Sequence, residues 1–173
     1  MTRQMTVALA ATATLGVSAA GVGIAGAATP NRIQILGGTT VKPGQSLTDD
    51  QHFAPAKLEV RSGATVTLAN KAKTEDPHTI SLVKKADLPK TAKQVFNCAT
   101  CNAIIGSHEF NEQTGDIGKP VVDVGQAGYD QPGDSTVIQP KRKITFKVTA
   151  KKGTTLYYLC AIHPWMQGSI AVK

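Results

Sequence analysis

The stretch Tyr158-Leu-Cys-Ala-Ile-His-Pro-Trp-Met-Gln-Gly168, close to the C-terminus, contains three side chains that bind metal ions well. Cys160, His163 and Met166 offer a thiolate, an imidazole and a thioether, and they stand three residues apart. Thiolate and thioether sulfurs are soft donors, and they select different metals from the oxygen donors of carboxylates. The segment is therefore a candidate for one side of a soft-metal site.

A second histidine elsewhere in the chain would complete a known type of copper site. In mononuclear blue-copper sites, two histidines and a cysteine hold the metal and a methionine binds weakly on the axis. Asp76-Pro-His78 supplies that histidine directly before an apolar run. The pattern predicts that His78, Cys160, His163 and Met166 bind one copper ion. Such a site exchanges one electron and leaves no free position for a substrate.

Short runs of alternating apolar and polar residues indicate an all-β chain of 173 residues. Glycines and prolines lie between the runs, and no helical period is sustained over a long window. These features are typical of an antiparallel sandwich or barrel. Residues 84–140 are less regular and predict a long insertion with one short helix and some loop. The predicted strands are Leu58–Val60, Thr65–Leu68, Thr79–Val83, Val121–Val124, Lys143–Val148, Thr155–Cys160 and Ser169–Val172.

The C-terminal motif, with Gly168 and an Ile-Ala-Val strand after it, resembles the copper-binding loop of the cupredoxins, the group of plastocyanin, pseudoazurin and amicyanin. The two-residue gap between His163 and Met166 most resembles amicyanin. Residues 50–83 and 141–173 carry the likeness, whereas the insertion has no counterpart in the compact members. The resemblance implies a cupredoxin-like Greek-key β-sandwich of about seven to eight strands that carries single electrons and is not an enzyme.

The resemblance also implies roles for particular residues around the metal. His163 should be the ligand nearest the surface, with Pro164 and Trp165 forming an apolar patch where redox partners dock. The family usually has asparagine directly after its first histidine ligand, and this chain has Thr79 there. We therefore expect one hydrogen bond near the thiolate, and with it the reduction potential, to differ from the family pattern.

The N-terminus predicts export. Arg3 is the only charged residue before Arg32, and the residues between them are mostly small or apolar. Ala25-Gly-Ala27 offers a small-x-small cleavage site. We expect residues 1–28 to be a cleaved export signal and 29–173 to be the cupredoxin domain, located in the periplasm, outside the cell or at the cell surface. A retained membrane anchor is the alternative, because the stretch is long enough to span; after cleavage no stable span is expected.

The three cysteines divide into a pair and a single residue. Cys98 and Cys101 form a Cys-x-x-Cys pair, and export favours a disulfide between them, which leaves Cys160 as the metal-binding thiolate. A partial zinc site with His108 is the alternative, although no fourth ligand is evident. Asn102 stands where a haem-attachment motif would have histidine.

The remaining composition limits the choice of function. The net charge of +7 is spread along the chain and aromatic residues are few, which does not predict nucleic-acid binding. A basic surface suits encounters with an acidic redox partner, and we expect a monomer. Four histidines are too few for a multicopper oxidase, and His52 is expected in a solvated loop. A copper storage or delivery protein, or a non-catalytic interaction module of the same fold, remains an alternative.

Overall fold

The computed structural model describes residues 31–111 and 113–173, and the export signal predicted for residues 1–28 lies outside them. None of the helices within the described residues has the length and apolar character needed to cross a membrane. The strands are β1 (Arg32–Leu36), β2 (Thr39–Lys42), β3 (Ser46–Asp49), β4 (His52–Ala54), β5 (Lys57–Val60), β6 (Thr65–Asn70), β7 (His78–Val83), β8 (Val121–Val122), β9 (Ser135–Ile138), β10 (Lys143–Lys147), β11 (Thr155–Leu159) and β12 (Gln167–Val172).

Two sheets form the sandwich. One sheet has four strands in the order β10-β6-β1-β4, and the other has six in the order β5-β12-β11-β7-β9-β8. Most neighbours are antiparallel, but β1 runs parallel to β6 and β5 runs parallel to β12. The exposed strands β2 and β3 pair as a separate hairpin. The predicted β-sandwich is confirmed, and the described residues form more strands than the seven or eight expected.

Alternating side chains from both sheets form the core. Ile33 and Ile35 on β1 are completely buried, and the residues on either side of them are partly exposed. Successive side chains of a strand point to opposite faces, so this pattern directs one apolar face inward. Across the core, the rings of Phe53 and Tyr158 pack edge to face with centroids 5.0 Å apart. The core thus connects the first sheet to β11, the strand that precedes Cys160.

The insertion differs from its prediction in two respects. It contains two α-helices rather than one, α1 (Ala92–Phe96) and α2 (Ala99–Ser107), after a 3-10 turn at Lys85–Asp87. Thr91 and Gln94 form a reciprocal capping box at the start of α1. The range predicted for the insertion, 84–140, includes β9, which pairs with β7 inside the larger sheet. The predicted strand over Val121–Val124 is reduced to β8.

The insertion covers the outer face of β7, the strand that begins with His78. All six residues of β7 are buried. Ile80 and Leu82 belong to the core between the sheets, whereas Val83 packs with Cys101 and Ile104 of α2. A strand in an antiparallel sandwich usually leaves one face to solvent. Here both faces of β7 are covered, so the strand is a rigid support for its first residue.

Candidate metal centre

Three of the four predicted ligands meet at one end of the sandwich. His78 begins β7 and Cys160 directly follows β11, and these two strands are antiparallel neighbours. The sulfur of Cys160 lies 3.7 Å from Nδ1 of His78 and 3.8 Å from Nδ1 of His163. The two Nδ1 atoms are 3.1 Å apart. Strand pairing therefore brings His78 to a loop that lies more than 80 residues later in the chain.

The spacing of the three donor atoms fits a metal ion. A point equidistant from the two Nδ1 atoms and the sulfur lies about 2.1 Å from each, close to the 2.0–2.1 Å of metal–imidazole bonds. Two imidazoles and one thiolate are the donor set of the trigonal copper sites of electron carriers. Among the described residues, His78, Cys160 and His163 form a group suited to holding a metal ion, and this group fits one copper ion.

Met166 lies in the same loop and is 1% exposed. The loop is closed by two backbone hydrogen bonds, because the amide of Met166 donates to the carbonyl of His163 at 2.9 Å and the amide of Cys160 donates to the carbonyl of Met166 at 3.0 Å. Met166 and Cys160 belong to one buried cluster. The role of Met166 as axial ligand stays a prediction, and its burial beside the cysteine suits that role.

Burial controls the protonation of the three donors. Desolvation, with a smaller contribution from His163, lowers the pKa of His78 to about 4. Desolvation also lowers the pKa of His163, against the opposing charges of Asp49 and Asp76. It raises the pKa of the Cys160 thiol, although hydrogen bonds from Thr79 act the other way. Without metal, the site therefore favours neutral imidazoles and a protonated thiol, and copper binding must release the thiol proton.

Thr79, the residue after the first histidine ligand, connects β7 to the ligand loop. Its backbone amide donates to the sulfur of Cys160 at 3.3 Å, and its Oγ1 accepts a hydrogen bond from the amide of Ala161 at 2.8 Å. A donor to the sulfur stabilises the thiolate and tunes the metal it binds. The threonine thus provides a side-chain link between the first ligand strand and the cysteine loop.

The exposed surface at the metal centre differs in part from its prediction. His163 is partly exposed while His78 is fully buried, and Trp165 is 41% exposed with its ring edge-on to His163 at 5.1 Å. Pro164, which was predicted to form the docking patch with Trp165, is buried. The loop turns inward there, and the Pro164 carbonyl accepts a hydrogen bond from Gln167. Ile162, in the same loop, is 37% exposed.

The other histidines and cysteines lie apart from this centre. Cys98 and Cys101 are joined in a disulfide, and both ring nitrogens of His108 are hydrogen-bonded, to Lys119 and Ser135. The alternative of a partial zinc site is therefore wrong. His52 is exposed as expected, although it lies on β4 rather than in a loop.

We expect acid to destabilise the metal-free protein through His78. Its pKa is 6.5 in the unfolded chain and about 4 when folded, so the unfolded state takes up the proton first as pH falls. The contribution of His78 to the free energy of unfolding is complete above pH 6.5. It is lost progressively down to pH 4, and the total loss is on the order of 3 kcal/mol. Urea unfolding across this pH range should show the loss. His78→Gln should reduce the slope of the free energy of unfolding against pH, whereas His52→Gln should not. Equal slopes in all three proteins would contradict the assignment.

We expect the Cys98–Cys101 disulfide to stabilise the fold modestly. It closes a loop with a sequence separation of only 3, so replacing both cysteines by alanine should lower the free energy of unfolding by about 2 kcal/mol. Alkylation without reductant, followed by mass measurement, should label neither residue. Labelling of both cysteines in the oxidised protein would show that the bond is absent.

The likenesses of this chain to known proteins lie among solved structures. No protein-family model and no curated protein sequence matches the chain. Among solved structures, a purple cupredoxin from Nitrosopumilus maritimus is 16% identical, with a TM-score of 0.43 over 82% of this chain and 98% of that one. Auracyanin A, a "blue" copper protein from Chloroflexus aurantiacus, is 21% identical, with a TM-score of 0.43 over 84% of this chain and 100% of that one. A Cu(I) form of an amicyanin variant is 15% identical, with a TM-score of 0.38 over 81% of this chain and 82% of that one.

The topology and the site together define the architecture. The chain is a β-sandwich with a His-Cys-His cluster at one end, and this cluster fits one copper ion. A helical insertion packs on β7, the strand that supplies the first histidine.

Proposed function

We propose that this chain is an exported, mononuclear copper protein that shuttles single electrons between redox partners and is not an enzyme. The convergence of His78, Cys160 and His163, with three donor atoms within 4.8 Å of one another, carries the proposal. Thiolate and imidazole ligands suit copper, and Met166, buried in the same loop, would supply a weaker thioether ligand. We place the mature protein in the periplasm or outside the cell, as a monomer.

The residues of the site suit electron transfer more than copper storage or delivery. When bound, copper supplies a one-electron couple. His78 and Cys160 are fully buried at the ends of two paired strands, which fixes their positions and excludes water. A labile storage site would instead expose its ligands to an accepting protein. Reversible reduction and reoxidation of the copper-loaded protein over many cycles, with no metal loss to a chelator, tests this choice; copper release on each reduction would favour delivery.

We further propose that electrons enter and leave through His163. It is the partly exposed ligand, and the exposed Trp165 ring lies edge-on to it at 5.1 Å as an apolar contact surface. Apolar contacts bring a partner close to the ligand, while the basic surface speeds the encounter with an acidic partner. That long-range attraction is screened over about 10 Å at 0.1 M salt. Salt should therefore slow association without abolishing transfer.

We expect Trp165→Glu to slow electron self-exchange by about tenfold or more at any ionic strength, because a desolvated charge in the contact costs at least 1.4 kcal/mol. The visible spectrum should be largely unchanged, since Trp165 supplies no ligand atom. Stopped-flow mixing of oxidised and reduced protein measures the rate. Val124→Glu is the matched control, because Val124 is 42% exposed and lies against the far end of β7. Equal rates in the two variants would show that electrons do not enter and leave through His163.

A further inference from the structure

Three polar residues lie on the outer face of the larger sheet and are nevertheless buried. Thr79 and Ser81 alternate with His78 and Ile80 along β7, and Ser135 is the cross-strand partner of Ser81 on β9. Their exposed fractions are 2%, 0% and 0%. In a two-sheet sandwich, the outward residues of a strand are normally polar because water reaches them. The insertion has replaced water here, so these hydroxyls need other partners.

The hydroxyls form one continuous hydrogen-bonded chain that ends in the insertion. Thr79 Oγ1 and Ser81 Oγ are 2.8 Å apart, and Ser81 Oγ and Ser135 Oγ are 2.6 Å apart. Ser135 Oγ is 2.7 Å from Nε2 of His108, whose Nδ1 is 2.5 Å from the carbonyl oxygen of Lys119. At the other end, Thr79 Oγ1 accepts from the amide of Ala161, the residue after the cysteine ligand.

The hydroxyls of this chain have a defined direction at the Thr79 end. The Ser81 hydroxyl donates its single hydrogen to Thr79 Oγ1, so Ser135 is the donor in the bond between the two serines. At the other end, the Lys119 carbonyl can only accept, so Nδ1 of His108 donates to it. Every member has a partner, and one missing member leaves an unpaired buried hydroxyl.

We infer that His108 is a positioning residue for the copper-binding cysteine loop, acting through Ser135, Ser81 and Thr79. The inference rests on the proposed copper site and assigns the insertion a function in it. The chain fixes the Thr79 hydroxyl that holds the amide of Ala161, and the Thr79 amide itself donates to the cysteine sulfur. Outer partners that orient ligands affect metal affinity and reduction potential, although they do not touch the metal.

Two substitutions at His108 separate this role from mere packing. In His108→Gln, the amide at the end of the longer side chain can replace Nε2 and keep the bond to Ser135. In His108→Asn, the shorter amide can replace Nδ1 and keep only the bond to Lys119. Ser135→Ala breaks the chain while leaving His108 in place. Thr136→Val is the matched control, because it removes a buried hydrogen bond to Tyr129 on the opposite face of the same strand.

The amide of Ala161 is the first readout, measured by hydrogen exchange in both the metal-free and the Cu(I) protein. Loss of a buried hydrogen-bond partner should speed its exchange about fivefold in His108→Asn and Ser135→Ala. The reduction potential of the loaded protein is the second readout. In His108→Asn and Ser135→Ala we expect a threefold change in the equilibrium between the oxidised and reduced forms. This corresponds to a shift of about 30 mV in the reduction potential, at 59 mV per tenfold for one electron. His108→Gln should stay close to the unsubstituted protein in both readouts.

The inference is overturned if His108→Asn and Ser135→Ala behave like Thr136→Val, or if His108→Gln is altered as strongly as His108→Asn. Should His108→Asn fail to fold, Ser135→Ala against Thr136→Val decides the question alone. Failure of the proposed copper function is recognised separately, as the absence of an intense thiolate band in the unsubstituted protein. In that case, Ala161 exchange in the metal-free protein still tests the hydrogen-bonded chain.

Discussion

Replacing Cys160 by serine should abolish the intense visible absorption of the copper-loaded protein. That absorption arises from charge transfer between a thiolate and Cu(II), and Cys160 is the single cysteine outside the disulfide. A serine hydroxyl is a hard donor and cannot supply the transition, even if His78 and His163 still hold the metal. Titration with Cu(II), followed by visible absorption, should show only weak bands in Cys160→Ser.

The paired substitution Cys98→Ala and Cys101→Ala is the control for this experiment. It removes two sulfurs but leaves the three converging donors unchanged, so the intense band should persist at one copper per chain. Retention of the band in Cys160→Ser, or its loss in the paired variant, would place the thiolate ligand elsewhere.

Gly168→Ala should destabilise the protein by about 3 kcal/mol, as expected for overpacking a rigid site. Gly168 lies opposite Tyr158 in the β11–β12 pair. A methyl group there would approach the carbonyl oxygen of Ala56 to 2.5 Å and the Tyr158 ring more closely still. The ring cannot move aside easily, because it is fully buried and packs edge-on against Phe53. Glycine is therefore required by close packing at this position.

Denaturant unfolding of the metal-free protein measures this effect, as a lower midpoint with an unchanged m-value. Gly106→Ala is the matched control, because Gly106 lies in α2 and an added Cβ would meet nothing within 4 Å. Alanine is the better helix former, so the control should be unchanged or more stable by up to about 1 kcal/mol. A Gly168→Ala protein within 1 kcal/mol of the unsubstituted one would show that this end of β12 repacks readily.

The sequence could predict the site because its signals are local. Cys160, His163 and Met166 are spaced within one loop, and His78 directly precedes a run of alternating residues. The structure brings His78, Cys160 and His163 together as that spacing predicted. The spacing did not reveal the burial of Pro164, because the direction of a loop residue depends on hydrogen bonds such as that from Gln167 to the Pro164 carbonyl.

The insertion was harder to predict because its partners are distant in sequence. Ser135-Thr-Val-Ile138 lacks the alternation of a half-buried strand, yet all four residues are buried in β9. Its serine is paired with His108, and that contact is invisible without the fold. Conversely, Arg32–Leu36 does alternate and forms β1, but it lies only a few residues after the stretch 1–28 assigned to the export signal. Strand β9 was therefore missed because burial by partners distant in sequence, rather than a local pattern, makes it a strand.

The spectrum of the protein with one equivalent of Cu(II) tests the central claim most directly. If His78, Cys160 and His163 hold the metal with Met166 on the axis, visible absorption should show one intense thiolate band that saturates at one copper per chain, and electron paramagnetic resonance should show a single Cu(II) species. Reduction by one electron should bleach the band and reoxidation should restore it. Weak absorption with the tetragonal signature of nitrogen and oxygen ligands, or binding of several coppers, would contradict the account.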